Sequence, residues 1–120
     1  MKENILKKKS FDFALRIVKL YKYLQEEKKE YIMSKQLMCS GTSVGAMVYE
    51  AEFGESISDF AHKMAIAQKE ISESLYWLEL LHVAEYLTVE QFESLNTDAL
   101  EIIKLITSSI LTAKKKIEKN

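Results

Sequence analysis

Three segments of this chain repeat apolar or small residues in steps of three and four, and that spacing constrains the fold more than any other feature. The series are Leu37, Gly41, Val44, Val48 and Ala51, then Phe60, Met64, Ala67, Ile71, Leu75 and Leu78, and finally Phe92, Leu95, Ala99, Ile102, Ile106 and Ser109. Such steps keep side chains on one face of an α-helix and form the seam along which helices pack side by side. With no proline and only three glycines, nothing interrupts long helices, whereas a turn-rich β domain needs those breakers. A chain of 120 residues is enough for one core and too short for two.

Taken in order, residues 1–9 are polar and lysine-rich and read as a basic N-terminal arm. Ser10 then suits an N-cap, with Asp12 in the first turn favoured by the helix dipole. The first helix is predicted to run to about Glu26 with two apolar stripes, Phe11–Ala14–Val18–Tyr21 and Phe13–Ile17–Leu20–Leu24. Glu26–Glu30 is a charged turn. A second helix is predicted from Tyr31–Met33 to about Phe53, with Gly54 as its stop and Ser56 or Ser58 as the next cap. The third covers about Asp59 to Tyr86, and Thr88-Val-Glu-Gln91 is a capping box that opens the fourth. Lys114, Lys115 and Lys116 fall in its last turns, where cations suit the dipole.

Four helices over 10–118 with short connections predict an all-α, antiparallel up-down-up-down four-helix bundle. The first and third helices carry more apolar surface than one such unit buries, so the bundle is expected to assemble as a homo-oligomer. No run approaches the roughly 18 apolar residues of a membrane span, and the lone Cys39 allows no internal disulfide framework; a cytoplasmic protein without membrane contact is expected.

The net charge of −1 hides an asymmetry. Residues 1–35 hold ten Lys and Arg against five acids, residues 36–113 three against twelve, and residues 114–120 four against one. The basic ends are the one feature that points to a ligand class. Lys7, Lys8, Lys9, Arg16, Lys19, Lys114, Lys115 and Lys116 are candidate nucleic-acid contacts, phosphate-directed and salt-sensitive rather than sequence-reading.

Catalytic signals are weak. Asp59-x-x-His62 and Glu79-x-x-His82 have the carboxylate–histidine spacing of di-iron bundles, but both lie on one predicted helix, about 30 Å apart, and cannot share a metal within a subunit. Cys39 has no partner motif, and a packed or inert thiol is the expectation. Ser40, Thr42 and Ser43 follow no strand and form no nucleophile elbow; their hydroxyls are expected to bond the backbone one turn earlier. Gly41 and Gly45 each weaken a helix by roughly 1 kcal/mol relative to Ala, which predicts close approach of another helix. Glu50 sits on a stripe expected to be partly buried and calls for Lys63 or Lys69 as a partner. Trp77 beside Tyr76 reads as a core or interface anchor. No catalytic, metal or cofactor site is expected, and the chain is read as a non-enzyme.

Residues 36–80 resemble the 23S rRNA intervening-sequence proteins, small bacterial four-helix bundles also labelled S23. The matching text is Gln36-Leu, Ser40-Gly-Thr-Ser-Val-Gly-Ala46, Glu50-Ala51, Ser58-Asp-Phe60, His62-Lys63, Ile66-Ala67, Lys69-Glu70 and Tyr76-Trp-Leu78. The resemblance implies a homo-oligomer, pentameric in relatives, with no established enzymatic activity. It also implies kinship with the accessory variability determinant of diversity-generating retroelements, a basic pentamer that partners a reverse transcriptase and binds nucleic acid. It marks Gln36, Ser40, Gly41, Thr42, Ser43, Gly45, Glu50, Asp59, Lys63, Glu70 and Trp77 as family packing or polar positions. Many members carry Asn where this chain has Met47, and basic residues where it has Met38 and Cys39. The reading that results is a non-enzymatic oligomeric scaffold or adaptor whose partner is itself; the alternative is an RNA- or DNA-binding accessory factor that uses the basic ends.

Overall fold

The computed structural model describes residues 2–119, with side chains from residue 5 onward. Its elements are α1 (Lys2–Glu26), α2 (Met33–Glu52), α3 (Ile57–Val83) and α4 (Val89–Lys119), and the described residues contain no strand. Each helix packs on two others in ring order, α1 on α2, α2 on α3, α3 on α4 and α4 back on α1, the last pair touching most sparsely. The result is a rod of 53 × 21 × 21 Å.

The side-chain pairings give the register. On α1 and α2, Lys7 meets Glu52 while Ile17 lies against Gly41. On α2 and α3, Ser40 meets Ser74 and Glu50 meets Lys63. On α3 and α4, Gln68 meets Thr107 and His82 stacks on Phe92.

The expected seams form the core. Phe13, Ile17 and Leu24 from α1, Leu37 and Val44 from α2, Met64, Ile71 and Leu78 from α3, and Ile102 and Ile106 from α4 are all buried to within 2%. Each such side chain contributes about 1.5–3 kcal/mol relative to leaving it in water.

The N-terminal arm is a correction. Residue 1 lies outside the described residues, but residues 2–9 are the first turns of α1, so the bundle starts there and not at residue 10. Leu6 and Ser10 extend the Phe13–Ile17–Leu20–Leu24 seam backwards by steps of three and four. Leu6 is fully buried, which anchors the segment. Ser10, the expected N-cap, is buried inside the helix and donates to the Lys7 carbonyl at 3.1 Å.

Helix ends are set by specific groups. α1 closes with Lys29 at φ 55° and the Glu30 N–H donating to the Leu24 carbonyl at 3.0 Å, a left-handed cap that satisfies an orphan carbonyl. The Glu30 side chain then starts α2, its carboxylate accepting from the backbone N–H of Ile32, Met33 and Ser34 at 3.0, 3.0 and 2.6 Å. Ser56 caps α3 by accepting from the Asp59 N–H at 3.0 Å. The Thr88 and Gln91 side chains bond each other's backbone N–H at 3.1 and 2.9 Å, the reciprocal arrangement of a capping box.

Candidate functional site

The outer face of α1 and α2 leaves exposed apolar side chains over a shaped hollow. An open groove of about 770 Å³ runs between the helices, floored by Ala14, Thr42, Gly45 and Ala46 and walled by Phe11 and Tyr49. Phe11 is 68% exposed and Tyr49 54%. Leu15, one turn beyond Phe11, and Phe53, whose ring lies 5.4 Å from that of Tyr49, are exposed too. The Phe11–Ala14–Val18–Tyr21 stripe predicted on α1 therefore begins at an exposed residue, while the Phe13 stripe enters the core.

Two glycines make this face shallow. A Cβ on Gly41 would stand 2.9 Å from Ile17 Cγ1 and 3.0 Å from Cγ2, and one on Gly45 would stand 3.2 Å from the Ser10 carbonyl oxygen. α1 thus presses against α2 at both points. The hydroxyls on the outer side are turned inward on their own helix: Thr42 donates to the Met38 carbonyl and Ser43 to that of Cys39, both at 2.7 Å. Their donors are used, so the face offers little that competes for water.

Ser40 does a different job. It is buried and lies 2.9 Å from Ser74 Oγ on α3. Ser74 donates to the Glu70 carbonyl at 3.0 Å, so Ser40 is the donor of the pair, a polar clasp inside the α2–α3 seam. Ser74 was not singled out from the sequence; its place three residues after Ile71 in a buried stripe was the available signal.

The basic candidates divide into two groups. Lys7 pairs with Glu52 at 2.7 Å and lies 4.9 Å over the Tyr49 ring; Lys8 pairs with Asp12 at 3.0 Å and Lys9 with Glu101 at 2.6 Å. Arg16 pairs with Asp98 and donates to Ser94 Oγ at 2.8 Å. Hydrogen bonds to Glu52 and to Glu101 hold the Lys7 and Lys9 ammonium groups above their ordinary pKa. Lys7, Lys9 and Arg16 staple α1 to α2 and α4, while the Lys8 pair lies within α1. Lys19, Lys114, Lys115 and Lys116 are exposed and have no ion-pair partner among the described residues.

The remaining family positions lie along α2 and α3. Glu50 pairs with Lys63 at 3.1 Å, but in the last turn of α2 it is exposed, not partly buried as its stripe suggested. Asp59 accepts from the Glu55 N–H at 3.2 Å in the turn before α3. Trp77 is half-buried, donates to Glu73 at 3.1 Å and meets Tyr76 edge-on. Gln36 is exposed, and so is Cys39, whose thiol is therefore not packed. His62 is exposed, while the His82 ring stacks on Phe92 at 4.5 Å with Nδ1 buried and unpartnered. No group of three potential metal ligands occurs among the described residues, and no helix there is long and apolar enough to cross a membrane.

Residues 2–108 match the sequence model of a family described as 23S rRNA-intervening sequence protein. The chain is also similar to a solved structure, a protein of unknown function from the S23 ribosomal protein family of Bacteroides thetaiotaomicron VPI-5482. The two share 55% sequence identity at a TM-score of 0.90, over 92% of this chain and 98% of that one. No curated protein matches.

Proposed function

Since the chain belongs to the 23S rRNA-intervening sequence protein family, we propose that it is a non-enzymatic homo-oligomeric scaffold, an antiparallel up-down-up-down bundle whose α1–α2 face binds further copies of itself. The observation that carries this reading is the groove floored by Gly45 and Ala46 between exposed Phe11 and Tyr49. Aromatic side chains left in water beside a hollow of small residues are the usual composition of an interface core. The inverse order of pairing along successive helices, Lys7 with Glu52 but Ile17 with Gly41, supports the antiparallel arrangement. A pentamer is the assembly that the family resemblance favours.

The scaffold reading is favoured over nucleic-acid binding because Lys7, Lys8, Lys9 and Arg16 are already matched by carboxylates. The second reading keeps Lys19 and Lys114–Lys116. A titration with structured RNA at two salt concentrations separates the two: a scaffold shows no salt-dependent binding, whereas a phosphate-binding surface loses affinity steeply as salt rises.

Ala46→Arg tests the assembly face. Ala46 is exposed in the groove floor, so a long cation there leaves the subunit's own packing intact and blocks a neighbour. Sedimentation velocity is expected to show smaller species with unchanged helical circular dichroism. An assembly unaffected by Ala46→Arg would remove the α1–α2 face from the proposal.

A further inference from the structure

A second hollow lies at the same end of the rod as the α1–α2 groove, on the far side of the Lys7–Glu52 ion pair. It measures about 440 Å³ and sits where α2 ends, α3 begins and α4 runs past both. It exists because small residues meet there. Ala51 closes the α2 seam, Gly54 follows it, and Ser109 and Ala113 occupy α4 seam positions that hold Leu or Ile further up. Interiors of this kind are normally filled to crystal-like density, so an opening of this size is a feature of the sequence rather than of loose packing.

Its lining is graded. Ile57 and Phe60 form an apolar wall. Ser109 and Thr112 donate their hydroxyl protons to the Leu105 and Ser108 carbonyls, both at 3.0 Å, and so turn only acceptor lone pairs elsewhere. Ser56 accepts from the Asp59 N–H and keeps its own proton to donate. Lys116 stands at the margin without an ion-pair partner among the described residues. The one lining acid, Glu52, is neutralised by Lys7. Among the described residues Lys116 is therefore the one lining cation and has no ion-pair partner, the Asp59 carboxylate beside Gly54 accepts from the Glu55 N–H, and Ile57 and Phe60 leave the inner wall apolar.

We propose that this cavity binds a small amphipathic anion, its short apolar chain against Ile57 and Phe60 and its phosphate or carboxylate head on Lys116 and the Ser56 hydroxyl. The volume falls within the range of small-molecule sites, and a free ammonium paired with an anionic head gives the stronger class of hydrogen bond. The proposal does not rest on the scaffold reading.

Hexyl phosphate is the probe, with hexanol and inorganic phosphate as controls, read by amide chemical shifts on the full chain. Hexyl phosphate is expected to bind at roughly millimolar affinity, as ligands of this size do, with shifts confined to residues 51–60 and 109–116. Hexanol should bind more weakly at the same residues, and inorganic phosphate hardly at all. Lys116→Gln should weaken hexyl phosphate severalfold and leave hexanol unchanged; Ala113→Leu, which fills the hollow, should abolish both, and Thr112→Ile provides the same test if that variant fails to fold. Phosphatidylcholine vesicles containing phosphatidic acid, which show the head but hide the chain, should not bind. Scattered shifts, inorganic phosphate matching hexyl phosphate, vesicle binding without hexyl phosphate binding, or an affinity indifferent to Lys116→Gln would each overturn the proposal.

Discussion

Gly41 offers a prediction whose sign changes with one distant residue. A methyl group at position 41 would lie 2.9 and 3.0 Å from the two γ-carbons of Ile17, closer than carbon atoms tolerate, and Ile17 is fully buried, with a stiff β-branched side chain. Replacing Gly by Ala in mid-helix gains about 1 kcal/mol of propensity, while forced overpacking costs about 1–3 kcal/mol. Gly41→Ala should therefore destabilise the fold by up to about 2 kcal/mol, and Gly41→Leu by more, with loss of folding or assembly. Ile17→Ala removes both offending carbons. By itself it should cost about 2–5 kcal/mol, but in that background Gly41→Ala should become stabilising by about 1 kcal/mol. The assay is urea unfolding followed by helical circular dichroism at one fixed protein concentration, since assembly makes stability concentration-dependent. A double-mutant cycle gives the coupling, expected at about 1–3 kcal/mol. If Gly41→Ala has the same effect in both backgrounds, the glycine is not there for the approach of α1.

Other perturbations follow from single groups. Burial tends to raise the Glu30 pKa, but hydrogen bonds from the Met33, Ser34 and Ile32 N–H groups, with the Ser34 hydroxyl, outweigh it and hold the carboxyl below its ordinary 4.5. A depressed carboxyl stabilises the fold fully above its unfolded value and loses that contribution as pH falls through the folded one. Glu30→Gln should therefore cost about 1 kcal/mol at neutral pH and flatten the decline in stability below pH 4.5; a parallel decline in wild type and variant would contradict this. In the α2–α3 clasp, Ser74→Ala strands the Ser40 hydroxyl, whose other acceptor is the Leu37 carbonyl at 3.4 Å. Ser40→Ala leaves Ser74 bonded to Glu70. Thermal unfolding should show Ser74→Ala as the worse substitution by about 1 kcal/mol, and equal losses would reverse the donor assignment.

Local signals place the helices after α1 closely, except that α3 ends at Val83 and not at Tyr86. The Thr88–Gln91 box and the Ser56 cap act over three residues, and the seams through Val44, Ile71 and Ile102 need only the helical period. Ser10 misled because a serine ahead of an apolar run resembles a cap, while the Lys7–Lys9 run hid Leu6 in step with Phe13. Extending the seam back by seven residues would have corrected it. Glu30 escaped notice since a carboxylate capping from three residues before a helix leaves no short motif. The lysine pairings were illegible for a different reason: Lys9 and Glu101 meet only when α1 and α4 adopt one register across a sequence separation of 92. Whether Phe11 and Tyr49 point into a core or into a groove likewise depends on where α1 settles against Gly41 and Gly45.

The central claim is that this bundle is a subunit, with Phe11 and Tyr49 covered by another copy. Sedimentation equilibrium of the wild-type chain at micromolar concentration tests it most directly. The account predicts a discrete multiple of 13.9 kDa, five being the expected number, that falls apart when Phe11 and Tyr49 are both replaced by Glu. A homogeneous 13.9 kDa species across that range would contradict it.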